Sequence, residues 1–381
     1  MTEPASDGSR RLTMFELARL EEARRRAAEV DVAVRRSAST TRDVRRPSWL
    51  LVGALLCVAA TAVLRLARPV EELAAERRYE REIGAGAEVE LGGPIAASAR
   101  PGYGKSGNVL VRVAMPGQII EYPLALRSDP VHLVYEWVRA SDSSQADAPR
   151  PLTGPAMVAP AQPGLYHLAV LTRTTGATPQ ILGDITLAVL VPFSQKMAGQ
   201  VNGYRIGSFP FERIGGERPI GFLEIDRRNV DVPLTRHLRL ADFVTHDEQA
   251  VWPKYAAVSP RLLDKLELVV DEVARIRGVN DPLRIEVDVH SGFRTPLHNS
   301  SVEGAALNSR HQYGDAADIA IDADGDGRLT AFDSRLVALA AELVEKRHPD
   351  LVGGVGVYVS AKYHTPYVHI DARGKRARWW G

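Results

Sequence analysis

A chain of 381 residues with a formal net charge of +1 and an apolar fraction of 45% has room for two or three domains with ordinary buried cores. It carries no basic excess of the kind that nucleic-acid partners need, and its single cysteine, Cys57, excludes an internal disulfide while leaving the redox compartment open. Residues 1–48 are a basic tail. Positions 12–34, rich in Ala, Arg and Glu, have a helix-forming composition, but a solvated, half-disordered tail is preferred to a partner-binding or membrane-surface helix. Residues 49–67 are the one strongly hydrophobic segment, with sixteen uncharged residues from Trp49 before Arg65 interrupts. That is short for a spanning helix, which needs about 20 residues. Snorkelling by Arg65 and an interfacial Trp49 close the gap, so a transmembrane anchor is expected rather than a buried core helix. A cleavable signal peptide fits less well, because 48 residues precede the run. Arg35, Arg36, Arg42, Arg45 and Arg46 on one flank nearly balance Arg65, Arg68, Arg77, Arg78 and Arg81 on the other. Charge counting therefore leaves the orientation open.

After a charged linker at 68–84, the texture changes. Between residues 85 and 195, β-type runs at 109–113, 131–135, 165–171 and 185–190 are separated by Pro, Gly and Ser clusters. Short strands at such spacing predict a β-sandwich-like domain. Gln162-Pro-Gly-Leu-Tyr166 has the form of turns that enter strands in immunoglobulin-like domains. A spacer and a wall- or partner-binding module are both compatible with it. Residues 196–231 read as a connector, and a last domain is expected over 232–381. There Leu262, Leu263, Leu266, Leu268, Val269 and Val273 give residues 260–277 the packing face of a helix.

Ser309-Arg-His-Gln-Tyr-Gly-Asp-Ala-Ala-Asp318 sets His311 and Asp318 seven residues apart around a Tyr-Gly turn. The run after the turn alternates, and it sends Asp318 away from the face of Ala317, Ile319 and Ile321. Tyr367-Val-His-Ile-Asp371 alternates likewise, so Tyr367, His369 and Asp371 share one face. Two adjacent strands would then present Asp318 and His369 to one point, with His311 closing from the loop. Two histidines and a carboxylate are a common protein half of a catalytic zinc site, whose fourth position stays open.

Directly downstream, residues 322–333 read D-x-D-x-D-G-x-L-x-x-x-D. Asp322, Asp324, Asp326 and Asp333, with the backbone carbonyl of Arg328, fall at calcium-loop positions, and Gly327 sits at the sharp turn. A calcium clamp that stiffens the Asp318 strand is favoured over an ion-free polar turn. Residues 334–346 then predict an exiting helix with an apolar stripe.

The pattern S-x-H-x-x-G-x-A-x-D with a late V-H-I-D resembles the zinc D-alanyl-D-alanine metallopeptidase family. Lysostaphin-type endopeptidases and the hedgehog signalling domain share its fold. The resemblance covers residues 232–380. It extends to Ser291-Gly-Phe-Arg-Thr295, to Gly353-Gly-Val-Gly-Val-Tyr358 and to the terminal Arg378-Trp379. It implies His311, Asp318 and His369 as zinc ligands and Arg294 as the cation on substrate oxygens. Ser309 and Tyr367 become substrate contacts, Ser309 alternatively orienting a ligand. Many relatives carry an acidic residue or a histidine two or three positions before the last ligand, where this chain has Pro366 and Tyr367. Asp371 and His364 are left as candidate general bases, Asp371 alternatively fixing the His369 tautomer. The implied fold is α+β, a small antiparallel sheet carrying the ligands with helices on one side. The implied protein is a membrane-anchored zinc peptidase that cuts peptidoglycan stem peptides or cross-links next to D-amino acids. A zinc-binding relative without activity, serving as a wall- or protein-binding module, is the alternative. Wall chemistry requires the C-terminal domains outside, in the periplasm, and the first 48 residues in the cytoplasm.

Overall fold

Alternating apolar side chains build the first layer. The computed structural model describes residues 102–122, 133–154, 156–172, 179–359 and 365–381. The tail, the apolar segment 49–67 and the charged linker lie outside the described residues, and so does His364. Among the described residues no helix is long and apolar enough to cross a membrane. Strands β1 (Val111–Ala114), β2 (Ile119–Glu121), β3 (Leu133–Arg139), β4 (Arg150–Pro151), β5 (Ala156–Val158), β6 (Gly164–Thr172) and β7 (Gln180–Val189) form two sheets. One has the order β1-β7-β6-β3-β4, and the other pairs β2 with β5. Trp137 joins them: its indole donates to the Val158 carbonyl at 2.8 Å and meets Tyr122 and Tyr135 edge-on. Gln162-Pro-Gly-Leu-Tyr166 closes as a tyrosine corner, the Tyr166 hydroxyl donating to the Gln162 carbonyl at 2.9 Å. The span expected to be sandwich-like thus holds one five-stranded and one two-stranded sheet, joined through Trp137.

The stretch expected as a connector is instead part of the fold. After β8 (Val191–Pro192), strands β9 (Gln200–Val201) and β10 (Tyr204–Arg205) make a hairpin. Strand β11 (Gly221–Ile225) pairs with β8 on one side and β12 (Lys254–Ala256) on the other. Phe222, Leu223 and Ile225 are buried. Its five residues are too few to show a period in sequence, which hid this strand.

Helix α1 (Pro260–Arg277) occupies the expected span. Proline at its first position needs no donor there, and Gly278 in the left-handed conformation ends it. Strand β13 (Asp288–Ser291), the short helix α2 (Pro296–Asn299), β14 (Ala316–Ala320), α3 (Ala331–Arg347), β15 (Gly354–Tyr358), β16 (Tyr367–Asp371) and β17 (Ala377–Trp380) complete the chain. The sheet order is β13-β14-β16-β15-β17, antiparallel except for the last pair. Ile319, Val355, Val368 and Ile370 join Leu262, Leu266, Val269, Leu336 and Val344 in one buried core. The helices thus cover one face of the sheet, as α+β packing requires, and the metal motif is left to the other.

Candidate metal centre

Strand pairing makes the site. Asp318 on β14 lies directly opposite His369 on β16. His311 stands on a one-turn helix, Arg310–Tyr313, which Gly314 ends at φ 72°. A side chain at Gly314 would put its Cβ 2.1 Å from the Ala257 carbonyl oxygen, so the turn demands glycine twice over. Arg310 anchors the same turn, donating through Nε to Asp315 at 2.9 Å and through Nη1 to Glu217 at 2.7 Å.

Three acceptor atoms converge. His311 Nε2 is 3.2 Å from Asp318 Oδ1 and 3.1 Å from His369 Nδ1, and His369 Nδ1 is 2.9 Å from Asp318 Oδ1. All three residues are buried. His311 Nδ1 lies 2.7 Å from the Gly292 carbonyl, which only accepts, so that nitrogen carries the proton and Nε2 turns its lone pair inward. His369 Nε2 lies 3.2 Å from Asp371 Oδ2, which by the same reasoning leaves Nδ1 unprotonated. Two lone pairs and a carboxylate oxygen facing each other repel unless a cation sits among them. Tetrahedral zinc with bonds of about 2.0–2.1 Å separates its ligand atoms by about 3.3 Å, close to the observed triangle. The donor set fits zinc.

Electrostatics follow from this crowding. Burial pulls His311 down, against the charge of Asp318. Without a cation in the centre, burial still works against protonated His369, but Asp318 and Asp371 outweigh it and raise this group, so the metal-free ring takes up a second proton more readily. Burial would raise Asp318, yet the two imidazoles hold it far below the usual carboxylate range.

Arg294 reaches into the centre, donating from Nη2 to Asp318 Oδ2 at 2.7 Å and from Nε to the Ser291 hydroxyl at 2.7 Å. It therefore grips the ligand carboxylate itself. Asp371 is fully buried on the outer side of the His369 ring, away from Nδ1. It accepts from the Gly354 amide at 2.7 Å and from Arg373 Nε at 2.8 and 2.9 Å. Ser309 is half-buried just before the His311 turn, with no capping bond from its side chain. Tyr367 is half-buried on the His369 face, stacked on Tyr358 with ring centroids 4.5 Å apart, and His290 flanks it. Burial raises its phenol pKa, and Asp318 adds to that.

Trp379, Arg373 and Arg310 escaped the sequence reading as site residues. Gly356 is the register partner of both His369 and Trp379. A Cβ there would lie 2.3 Å from the indole, and its absence lets Trp379 tilt against the His369 ring at 5.1 Å. Spacing of Gly356 and Trp379 was visible in the sequence, but the cross-strand meeting was not.

The acidic loop is only partly gathered. Asp322, Asp324 and Asp333 bring carboxylate oxygens within 4.8 Å of one another. Asp326 is not in that group and accepts from the Arg328 amide at 2.8 Å. Asp333 is drawn into capping α3: it takes the Thr330 amide at 2.8 Å, and the helix starts at Ala331, three residues before the expected 334. Burial and the neighbouring carboxylates, Asp333 first, raise Asp324.

Comparison with known proteins bears on this centre. No curated protein and no solved structure matches the chain. The sequence model of the family described as Peptidase M15 does match, over residues 251–338, a stretch that holds Arg294, His311 and Asp318 and ends before His369. The C-terminal domain of this chain is thus D-Ala-D-Ala metallopeptidase-like.

Proposed function

We propose that this chain hydrolyses peptidoglycan amide bonds next to D-amino acids, in stem peptides or cross-links, with zinc held by His311, Asp318 and His369. The observation that carries the reading is the convergence of two imidazole lone pairs and one carboxylate oxygen within 3.2 Å. It sits in a domain matched by a peptidase family. Zinc in such a site polarises a carbonyl and lowers the pKa of water to about 7.

The chain's own residues divide the remaining work. Arg294 pins Asp318 so that Oδ1 faces the histidines. Its side chain is 18% exposed, which brings the same cation to the cleft for substrate oxygens. Tyr367 keeps its proton at neutral pH, which supports the part given to it here, a donor to a carbonyl oxygen of bound substrate. Ser309 lines the approach to His311. Asp371 orients His369: its oxygens are committed to His369, Arg373 and Gly354, so it has no basicity to spare. Of the two proton acceptors the sequence offers, this favours His364. Residues 49–67 anchor the chain, with the C-terminal domains periplasmic and the tail cytoplasmic.

Full-length protein incubated with purified peptidoglycan is expected to release D-alanine or split cross-links, read by mass spectrometry. Stoichiometric zinc without any cut bond would instead support the wall-binding alternative. The loop at 322–333 is assigned calcium, supported by the three gathered carboxylates. Calcium at a hundred times its Kd adds about 2.7 kcal/mol, a rise in Tm of roughly 5–10 °C. Asp322→Ala should abolish that rise. A wild-type Tm indifferent to calcium would remove the assignment.

A further inference from the structure

Lys265 is a lysine with no exposed surface, in the N-terminal half of α1. Its ammonium donates to Glu345 Oε1 on α3 at 2.6 Å and to the backbone carbonyl of Asp371 at 2.6 Å. The same Glu345 oxygen accepts the Gly353 amide at 3.0 Å, at the entrance to β15. The other Glu345 oxygen takes Arg378 from β17, whose Nη1 also donates to the Gly353 carbonyl at 2.7 Å. One buried ion pair therefore ties two helices to three strands at the place where Asp371 sits. A core needs no such device for stability, since a buried pair does no better there than well-packed apolar side chains. What it supplies is a fixed anchor on one backbone carbonyl. From that carbonyl the chain of contacts is short: the Asp371 carboxylate meets His369 Nε2, and His369 Nδ1 faces Asp318 and His311.

We propose that Lys265 and Glu345 are positioning residues of the metal centre, holding the end of β16 so that Asp371 keeps the His369 ring aimed at the metal. The proposal rests on the zinc reading above. It adds that metal affinity depends on a charge pair in the helical layer, which reaches Asp371 through its backbone carbonyl and through the Gly353–Gly354 amides.

The test uses the full chain and two readouts that do not need substrate. Zinc affinity is measured by competition with a chromophoric chelator, and ligand geometry by the visible spectrum with cobalt(II) alone. Lys265→Met leaves Glu345 buried beside a lost partner and threatens folding, so the informative variant is Lys265→Met/Glu345→Gln, which removes both charges. Val269→Ala, a buried cavity mutation on the same helix, controls for lost stability. Loss of an orienting partner typically costs metal affinity about 10–100-fold. That loss, with a changed cobalt spectrum, is expected for the double variant, and neither change for Val269→Ala. A double variant with wild-type affinity and spectrum overturns the proposal, as does a control that loses as much. Wild type that takes up no metal overturns the zinc reading itself and this inference with it.

Discussion

His311→Ala is expected to lose zinc and hydrolysis together. The variant keeps one imidazole and one carboxylate, too few to hold zinc against dilution, so metal analysis should fall from one zinc per chain to none. Zinc supplies several kcal/mol to amide hydrolysis. At about 1.4 kcal/mol per tenfold, the rate on peptidoglycan should drop by roughly a thousandfold or more. Stability gives an independent check. His311 Nδ1 donates to the Gly292 carbonyl within the core, and a buried acceptor left unpaired costs about 1–3 kcal/mol. In wild type, removing the metal should also cost stability, because three electron-rich atoms then face each other without a cation. A chelator should therefore lower the Tm of wild type and leave that of His311→Ala unchanged. A variant that still carries stoichiometric zinc and still cuts would place the metal on other residues.

Much of this centre was legible in the order of residues. Alternation put Asp318 and His369 on the polar faces of two strands, and those strands are neighbours with the two residues in register. The Tyr-Gly step marked a turn, and Gly314 makes one at positive φ. The helix 260–277 declared itself by its apolar stripe. What stayed hidden depends on contacts between residues far apart in sequence. Lys265 reads as an ordinary surface lysine of an amphipathic helix until Glu345, 80 residues on, covers it. Arg294 reads as a free cation until its guanidinium is found on Asp318. Asp333 reads in sequence as the last calcium ligand, and its second part, in the cap of α3, shows only in its hydrogen bonds to Thr330. Strand β11 failed for a different reason: five residues carry too little pattern to outweigh the Gly and Pro around them.

Asp371→Asn separates two chemical roles that one carboxylate can fill. As a general base, Asp371 would matter to the proton transfer alone, and the amide would lower kcat while zinc affinity stayed as it was. As the partner of His369, it fixes which ring nitrogen carries the proton. The amide then weakens zinc about 10–100-fold, and saturating zinc restores much of the rate. The geometry favours the second outcome, because the carboxylate lies on Nε2, behind the ring. The pH dependence should agree. Burial would raise the Asp371 carboxyl, but the hydrogen bonds from His369 and Arg373 override it and hold it well below the ordinary carboxylate range. A depressed folded-state pKa adds stability that is complete above the unfolded value of about 3.9 and is lost as pH falls beneath it. At saturating zinc, which keeps His369 unprotonated in both proteins, wild type should therefore exceed Asp371→Asn in stability by a constant margin from pH 7 to about 5, and the margin should close below about pH 4. A margin that instead closed near neutrality would mean that Asp371 titrates there, as a general base must, and would return it to the chemistry.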